Sequence, residues 1–212
     1  MSASADSADE PTSDEAARAW AARRMREADR FAAIAGETER HRAEHGCNAY
    51  ASADGPLLGV LARASGARRI LEIGTALGYS AAWLAEGAPE ARVDSVEADG
   101  SHAEAAAAQL RRVGLAERVK IRVGSSPEAL RSLEPGYDLV FYDASVPTPE
   151  ELALFRDLLR PGGLLVTSNL FLGRYDPALP GLAKGAEVRR ALFDAGRWLT
   201  TFADLKALSI RL

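Results

Sequence analysis

The spacing of apolar residues changes twice along the chain, and each change marks a different kind of element. In the first stretch Trp20, Glu27, Phe31 and Ile34 follow one another at rough helical spacing, in a run rich in Ala, Arg and Glu that reaches about His45. Thr12 followed by Glu15 has capping-box spacing, which starts a helix near residue 13. Gly36 breaks the run, so two helices are expected, packed on a core domain or on a partner subunit.

From residue 56 helical and strand patterns alternate. Helices are predicted at Leu57–Ala64, Ser80–Glu86, Ser101–Val113, Pro127–Leu133 and Pro149–Leu159. Strands are predicted at Arg69–Ile73, Arg92–Glu97, Arg118–Val123, Tyr137–Tyr142 and Leu164–Thr167. Arg160-Pro161-Gly162-Gly163 reads as a turn. A loop to about Lys184 then precedes a helix ending near Ala195. Trp198–Phe202 and Ala207–Leu212 read as two final strands that pair as a hairpin. Five strand–helix alternations imply an α/β fold, a mostly parallel sheet with helices on both faces and a reversed strand pair at its end. The chain divides into an acidic, solvated tail (1–12), N-terminal helices with a lid segment (13–55) and a main domain (56–212).

Composition narrows the classes. A chain of 212 residues, 47% hydrophobic and 26% charged, is that of an ordinary globular domain. No run approaches 18 apolar residues, and no basic segment precedes an apolar core at the N-terminus, so neither a membrane span nor a signal peptide is expected. The net charge of −4 is concentrated: residues 1–15 hold five acids and no base, and the remainder carries 25 acids against 26 bases. A near-neutral body argues against nucleic acid and anionic membranes as partners. Cys47, the only cysteine, cannot form an internal disulfide, which fits a reducing, cytoplasmic setting.

The chemistry is expected where strands end, because open α/β sheets bind ligands beyond the carboxyl ends of their strands. The first strand runs into Leu71-Glu72-Ile73-Gly74-Thr75-Ala76-Leu77-Gly78-Tyr79-Ser80. Gly74 and Gly78 permit a sharp turn and a close ligand approach. Glu97 ends the next strand and can receive both hydroxyls of a ribose. These features point to an adenosine-type ligand. A dinucleotide site wants a middle glycine that is missing here, and Glu72 would repel a pyrophosphate, which disfavours the rival reading of a nicotinamide oxidoreductase. A carboxylate in that place suits a ligand with a positive amine and no phosphate, such as S-adenosylmethionine.

Glu-x-Gly-x-x-x-Gly-Tyr-Ser resembles motif I of the catechol O-methyltransferase-like class I O-methyltransferases, which use S-adenosylmethionine. Val96-Glu97-Ala98, Gly124-Ser125-Ser126, Phe141-Tyr142-Asp143-Ala144 and Leu159-Arg160-Pro161-Gly162-Gly163 are similar to later segments of that family. The resemblance implies a seven-stranded sheet of order 3-2-1-4-5-7-6. It also implies a role for each matching residue. Glu72 holds the methionine amine, Gly74 and Thr75 touch the methionine portion, Gly78 belongs to the same loop, and Ser80 binds the carboxylate. Glu97 takes the ribose, while Ala98, Ser125 and Ser126 border the adenine. Tyr50 is a lid residue, and Asp143 sits where cofactor and acceptor meet, as candidate catalytic base. Homodimers are common in such a family, and the apolar N-terminal helices fit one.

The family's metal site is altered. Asp143 and Asn169 match two of its three ligands, but Ser168 stands where a second aspartate is usual. Val146 stands where a lysine base is usual, so Asp-Ala-Asp-Lys reads Asp143-Ala144-Ser145-Val146. One remaining carboxylate is poor provision for a hard divalent cation. The expectation is therefore a metal-independent O-methyltransferase of a small hydroxylated acceptor. Two alternatives stay open: a catalytically silent cofactor-binding subunit or regulator, and a Mg²⁺-dependent catechol-type enzyme. Among lysines beyond the fourth strand, Lys184 is taken as the one able to reach the pocket. His41 and His45 have i, i+4 spacing, which permits a shared ligand. His102 reads as a helix-start residue or a cofactor contact, and Arg174 and Tyr175 fall in the loop that shapes the acceptor pocket.

Overall fold

The structure is a computed structural model that describes residues 11–52, 54–171, 181–203 and 206–212. Its helices are α1 (Asp14–Glu27), α2 (Ala32–His45), α3 (Gly55–Ala64), α4 (Tyr79–Gly87), α5 (Gly100–Arg112), α6 (Ser126–Arg131), α7 (Pro149–Leu158) and α8 (Gly181–Leu192). Its strands are β1 (Arg69–Ile73), β2 (Arg92–Glu97), β3 (Val119–Val123), β4 (Tyr137–Tyr142), β5 (Leu159–Thr167), β6 (Trp198–Ala203) and β7 (Lys206–Arg211). They form one seven-stranded sheet of order β3-β2-β1-β4-β5-β7-β6. Strands β1 to β5 pair in parallel, while β7 runs antiparallel between β5 and β6.

Strand residues alternate between two cores, as a sheet covered on both faces requires. Ile70, Val93, Leu139, Phe141 and Val166 pack beneath α3 and α4 with Leu110 of α5. Phe31 and Ile34, flanking the start of α2, join that core. Leu71, Ile73, Val140, Tyr142 and Leu165 face Leu130 of α6, Phe155 of α7 and Val188 and Leu192 of α8. Among the described residues, no helix is long and apolar enough to cross a membrane.

Local chemistry corrects several sequence-based boundaries. Ser13, not Thr12, caps α1, accepting from the Ala16 N–H at 3.2 Å. The first helical run breaks at Ala28–Phe31 rather than at Gly36, because Asp29 accepts the Phe31 N–H at 2.9 Å and ends the turn there. Gly36 lies inside α2, where a Cβ would meet nothing within 4 Å. The segment Arg160–Gly163 is a turn set inside a strand: the β4 partner advances from Tyr137 to Leu139 while β5 jumps from Leu159 to Leu164. Helix α8 starts at Gly181, before Lys184. Of the two N-terminal helices, α2 docks through Ile34 and Thr38, but α1 has no buried residue. Most of the tail, and Arg174 and Tyr175, lie outside the described residues.

Candidate active site

Because strand side chains alternate, Ile70 and Glu72 share the face that carries α4 and α5. The register sets Glu72 beside Ser95 of β2. Glu72 is fully buried, and its Oε2 accepts from the Ser95 hydroxyl at 2.5 Å. Ser95 Oγ in turn lies 2.5 Å from Thr75 Oγ1, so the loop after β1 is tied to the same carboxylate. Glu72 Oε1 is buried with no hydrogen-bond partner. Burial pushes the Glu72 carboxyl up to about 7 against the opposing pull of the nearby Ser80 and Ser95 hydroxyls, and the negative charges of Asp143 and Glu97 push it further.

The loop that follows is shaped by backbone demands. Gly74 has φ +98°, and a Cβ there would stand 3.0 Å from the Asp143 carbonyl carbon, so the ends of β1 and β4 touch through it. Gly78 has φ +94° at the residue before α4. Ala76 adopts φ +45°, a strained value for a residue with a Cβ. Its N–H donates to Glu97 Oε2 at 2.8 Å. Glu97 Oε1 accepts the Asp99 N–H at 3.0 Å, so one carboxylate joins the loops after β1 and β2. Glu97 is buried, with Ala98 exposed beside it. The Ser126 hydroxyl is buried and unpartnered, whereas Ser125 donates to Glu128 at 2.8 Å.

Asp143 lies just past β4, its N–H donating to the Ile73 carbonyl at 2.9 Å. Asn169, at φ +65°, donates from Nδ2 to Asp143 Oδ1 at 3.1 Å. Ser168 is held opposite by its N–H bond to the Tyr142 carbonyl at 2.9 Å. Burial raises the Asp143 carboxyl to about 6, while the charge of Lys206 and the Asn169 amide pull it back. Lys206 opens β7 and pairs with Asp54 at the start of α3. It overturns the expectation that Lys184 alone could serve this pocket, since β7 runs antiparallel to β5 and so begins at the edge where the parallel strands end. The Lys184 side chain lies outside the described residues.

The structure thus gathers Glu72, Gly74, Thr75, Gly78, Ser80, Glu97 and Asp143 at one edge of the sheet, with Ala98, Ser125 and Ser126 after the neighbouring strands. Tyr50 stands apart, 63% exposed, with the Arg42 guanidinium 4.4 Å over its ring. Sequence reasoning missed Ser95, Lys206 and Asp54. For Ser95 the signal was available in the register, since the residue opposite a buried strand acid must satisfy it.

Residues 71–170 match the family described as "Methyltransferase domain". A catechol O-methyltransferase of Mycobacterium tuberculosis is 41% identical over 128 residues, which is 59% of this chain and 58% of that protein. The match to a second catechol O-methyltransferase, of Niastella koreensis, covers 55% of its length, so the chain spans just over half of these curated relatives. A putative O-methyltransferase of Mycolicibacterium smegmatis is 34% identical over 74% of each chain. Among solved structures, the O-methyltransferase TomG of Streptomyces achromogenes in complex with SAM superposes with TM-score 0.71 and 34% identity, over 84% of this chain and 89% of that one.

The buried acid has a consequence for the ligand-free protein. A carboxyl whose folded pKa is raised stabilises the fold below its unfolded pKa, and that stability is lost as pH rises through the folded value. For Glu72 the window is about 4.5 to 7, and the loss is up to about 3 kcal/mol. Glu72→Gln should flatten this part of the stability–pH curve between about pH 4.5 and 7, measured by urea unfolding. Identical pH dependence in the two proteins would contradict the assignment.

Proposed function

The chain belongs to the catechol O-methyltransferase-like family of class I methyltransferases, and on that premise we propose that it methylates an oxygen of a small hydroxylated acceptor, using S-adenosylmethionine and no divalent metal. The observation that carries the cofactor is the unpartnered Glu72 Oε1, a buried carboxylate oxygen that needs a donor, best a cationic one. The residues present fit such a ligand. Glu72 takes the amine, Gly74 and Thr75 the methionine backbone, and Ser80 its carboxylate, with Gly78 leaving room at the turn. Glu97 has lone pairs free for the ribose beyond its two N–H bonds. Ala98, Ser125 and Ser126 border the base, Ser126 with a spare hydroxyl, and Tyr50 serves as a lid. When bound, the cofactor supplies an electrophilic methyl group on a sulfonium.

Asp143 and Lys206 work the acceptor side. Asp143, with its carboxyl near 6, is ionised at neutral pH yet basic enough to take the acceptor's hydroxyl proton. The O–H bond breaks toward Asp143, and the electron pair stays on the acceptor oxygen. Lys206, held by Asp54, offsets the charge that develops there. The donor set does not fit a hard dication: Asp143 is a single carboxylate, Asn169 turns its amide N–H₂ toward it, and an ammonium already neutralises the site. The same proposal places the protein in the cytoplasm, on the strength of its lone cysteine. It gives α1, unburied in one copy with Met25 43% exposed, a second copy of the chain as partner.

Four measurements test this reading. Calorimetry should show S-adenosylhomocysteine binding, with affinity about 10-fold lower in Glu97→Ala, where a charged acceptor of ribose hydroxyls is lost; binding of NAD instead would refute the cofactor. Turnover should persist in EDTA, and a loss restored by millimolar Mg²⁺ would refute metal independence. Lys206→Met should move the acid limb of the pH–rate profile upward from about 6, since the cation that holds the Asp143 carboxyl down is gone. An unmoved limb would remove Lys206 from the site. Light scattering should give a dimer, and a monomer at micromolar concentration would exclude one.

A further inference from the structure

The 212-residue chain contains three histidines and one cysteine, and two of the histidines meet the cysteine at one place, the third lying against His41. His41 and His45 lie one turn apart on α2, with ring centroids 4.4 Å apart. Gly46 then adopts a left-handed C-cap, φ +63°, its N–H donating to the Arg42 carbonyl at 2.9 Å. That cap folds the chain back, so that Cys47 comes to the side where His41 stands. His102 arrives from a different part of the sequence, in the first turn of α5, and meets His41 edge-on at 5.2 Å. One ligand atom each from His41, Cys47 and His102 lies within 4.8 Å of the others. His102 is buried, and the other two are half-buried.

We propose that His41, Cys47 and His102 form a site for a thiophilic divalent ion, Zn²⁺, that straps the end of α2 to the start of α5. Two imidazoles and a thiolate suit this ion, whose bonds of about 2.0–2.3 Å would need each side chain to close in by roughly 1 Å through side-chain rotation. The orientation of His102 supports it. Glu97 Oε1 stands 3.8 Å from His102 Nδ1, so an outer carboxylate of the kind that accompanies zinc-bound imidazoles is at hand. Water completes the shell, with His45 exposed beside His41. The site is separate from the acceptor end at Asp143, and it does not depend on the proposed reaction.

The test is a titration of the metal-free protein with Co²⁺ under a non-thiol reductant. One equivalent should give a thiolate-to-metal charge-transfer band that Zn²⁺ displaces, and Zn²⁺ should raise the melting temperature. Cys47→Ser should abolish the band. His41→Gln and His102→Gln should weaken binding by at least about 10-fold, the range that even an outer partner's loss can cost. Cys47 and His41 are only half-buried, so their variants should fold, and circular dichroism verifies this. Absence of the band in the native protein overturns the proposal, as does native-like Zn²⁺ affinity in either the Cys47→Ser or the His41→Gln variant.

Discussion

A carboxylate fixed in the middle of an apolar sheet organises this molecule. Glu72 is fully buried, so its protein surroundings must supply donors to it. Ser95 comes from the adjacent strand, and Thr75 supports Ser95 from the loop between. The positive-φ glycines follow from the same demand: a loop that turns back over its own strand end needs backbone that a side chain would obstruct. Around Glu72 the neighbouring strands end in Glu97 and Asp143. Three acids at one edge repel each other unless cations enter, and the ligand-free protein holds this arrangement at a cost in stability that a cationic ligand would relieve.

Around Asp143 the balance is struck from a different part of the chain. Val146, Ser168 and Asn169 carry no charge, and the loop after β4 supplies no base beyond Asp143. Positive charge comes instead from Lys206, on β7, the strand whose direction is reversed. An antiparallel strand inserted beside β5 exposes its first residue at the edge where the parallel strands expose their last. The topology therefore makes the start of β7 equivalent in position to the loops that classically arm such a sheet.

Much of this was legible in the sequence where local rules decide. The limits of β1, β2 and β4 follow from short apolar runs bounded by Gly, Pro and charged residues, and the strand order followed from resemblance. The glycine loop and its two acids were readable because their spacing is local. What escaped depends on pairing. Ser95 matters only because the register sets it opposite Glu72, and Lys206 only because β7 enters the sheet between β5 and β6. His41 and His45 were legible as a spaced pair and His102 as a separate residue, but the meeting of His41 and His102 with Cys47 needed the left-handed turn at Gly46 and the packing of α2 against α5. Gly36 misled for the opposite reason: its intrinsic helix penalty of about 1 kcal/mol is small beside the burial of Ile34 and Thr38 on either side of it.

The ion pair between Lys206 and Asp54 joins residues 152 positions apart. A contact that closes so long a loop forms only when the elements between have found their places, because its entropic cost precedes its reward. A folding chain in which β1, β2 and β4 have already paired carries Glu72, Glu97 and Asp143 without their cation. The charge around Asp143 is then balanced only once β7 has docked. Fraying of the β6–β7 hairpin would run that order backwards, withdrawing the charge from Asp143 while leaving the rest of the sheet intact.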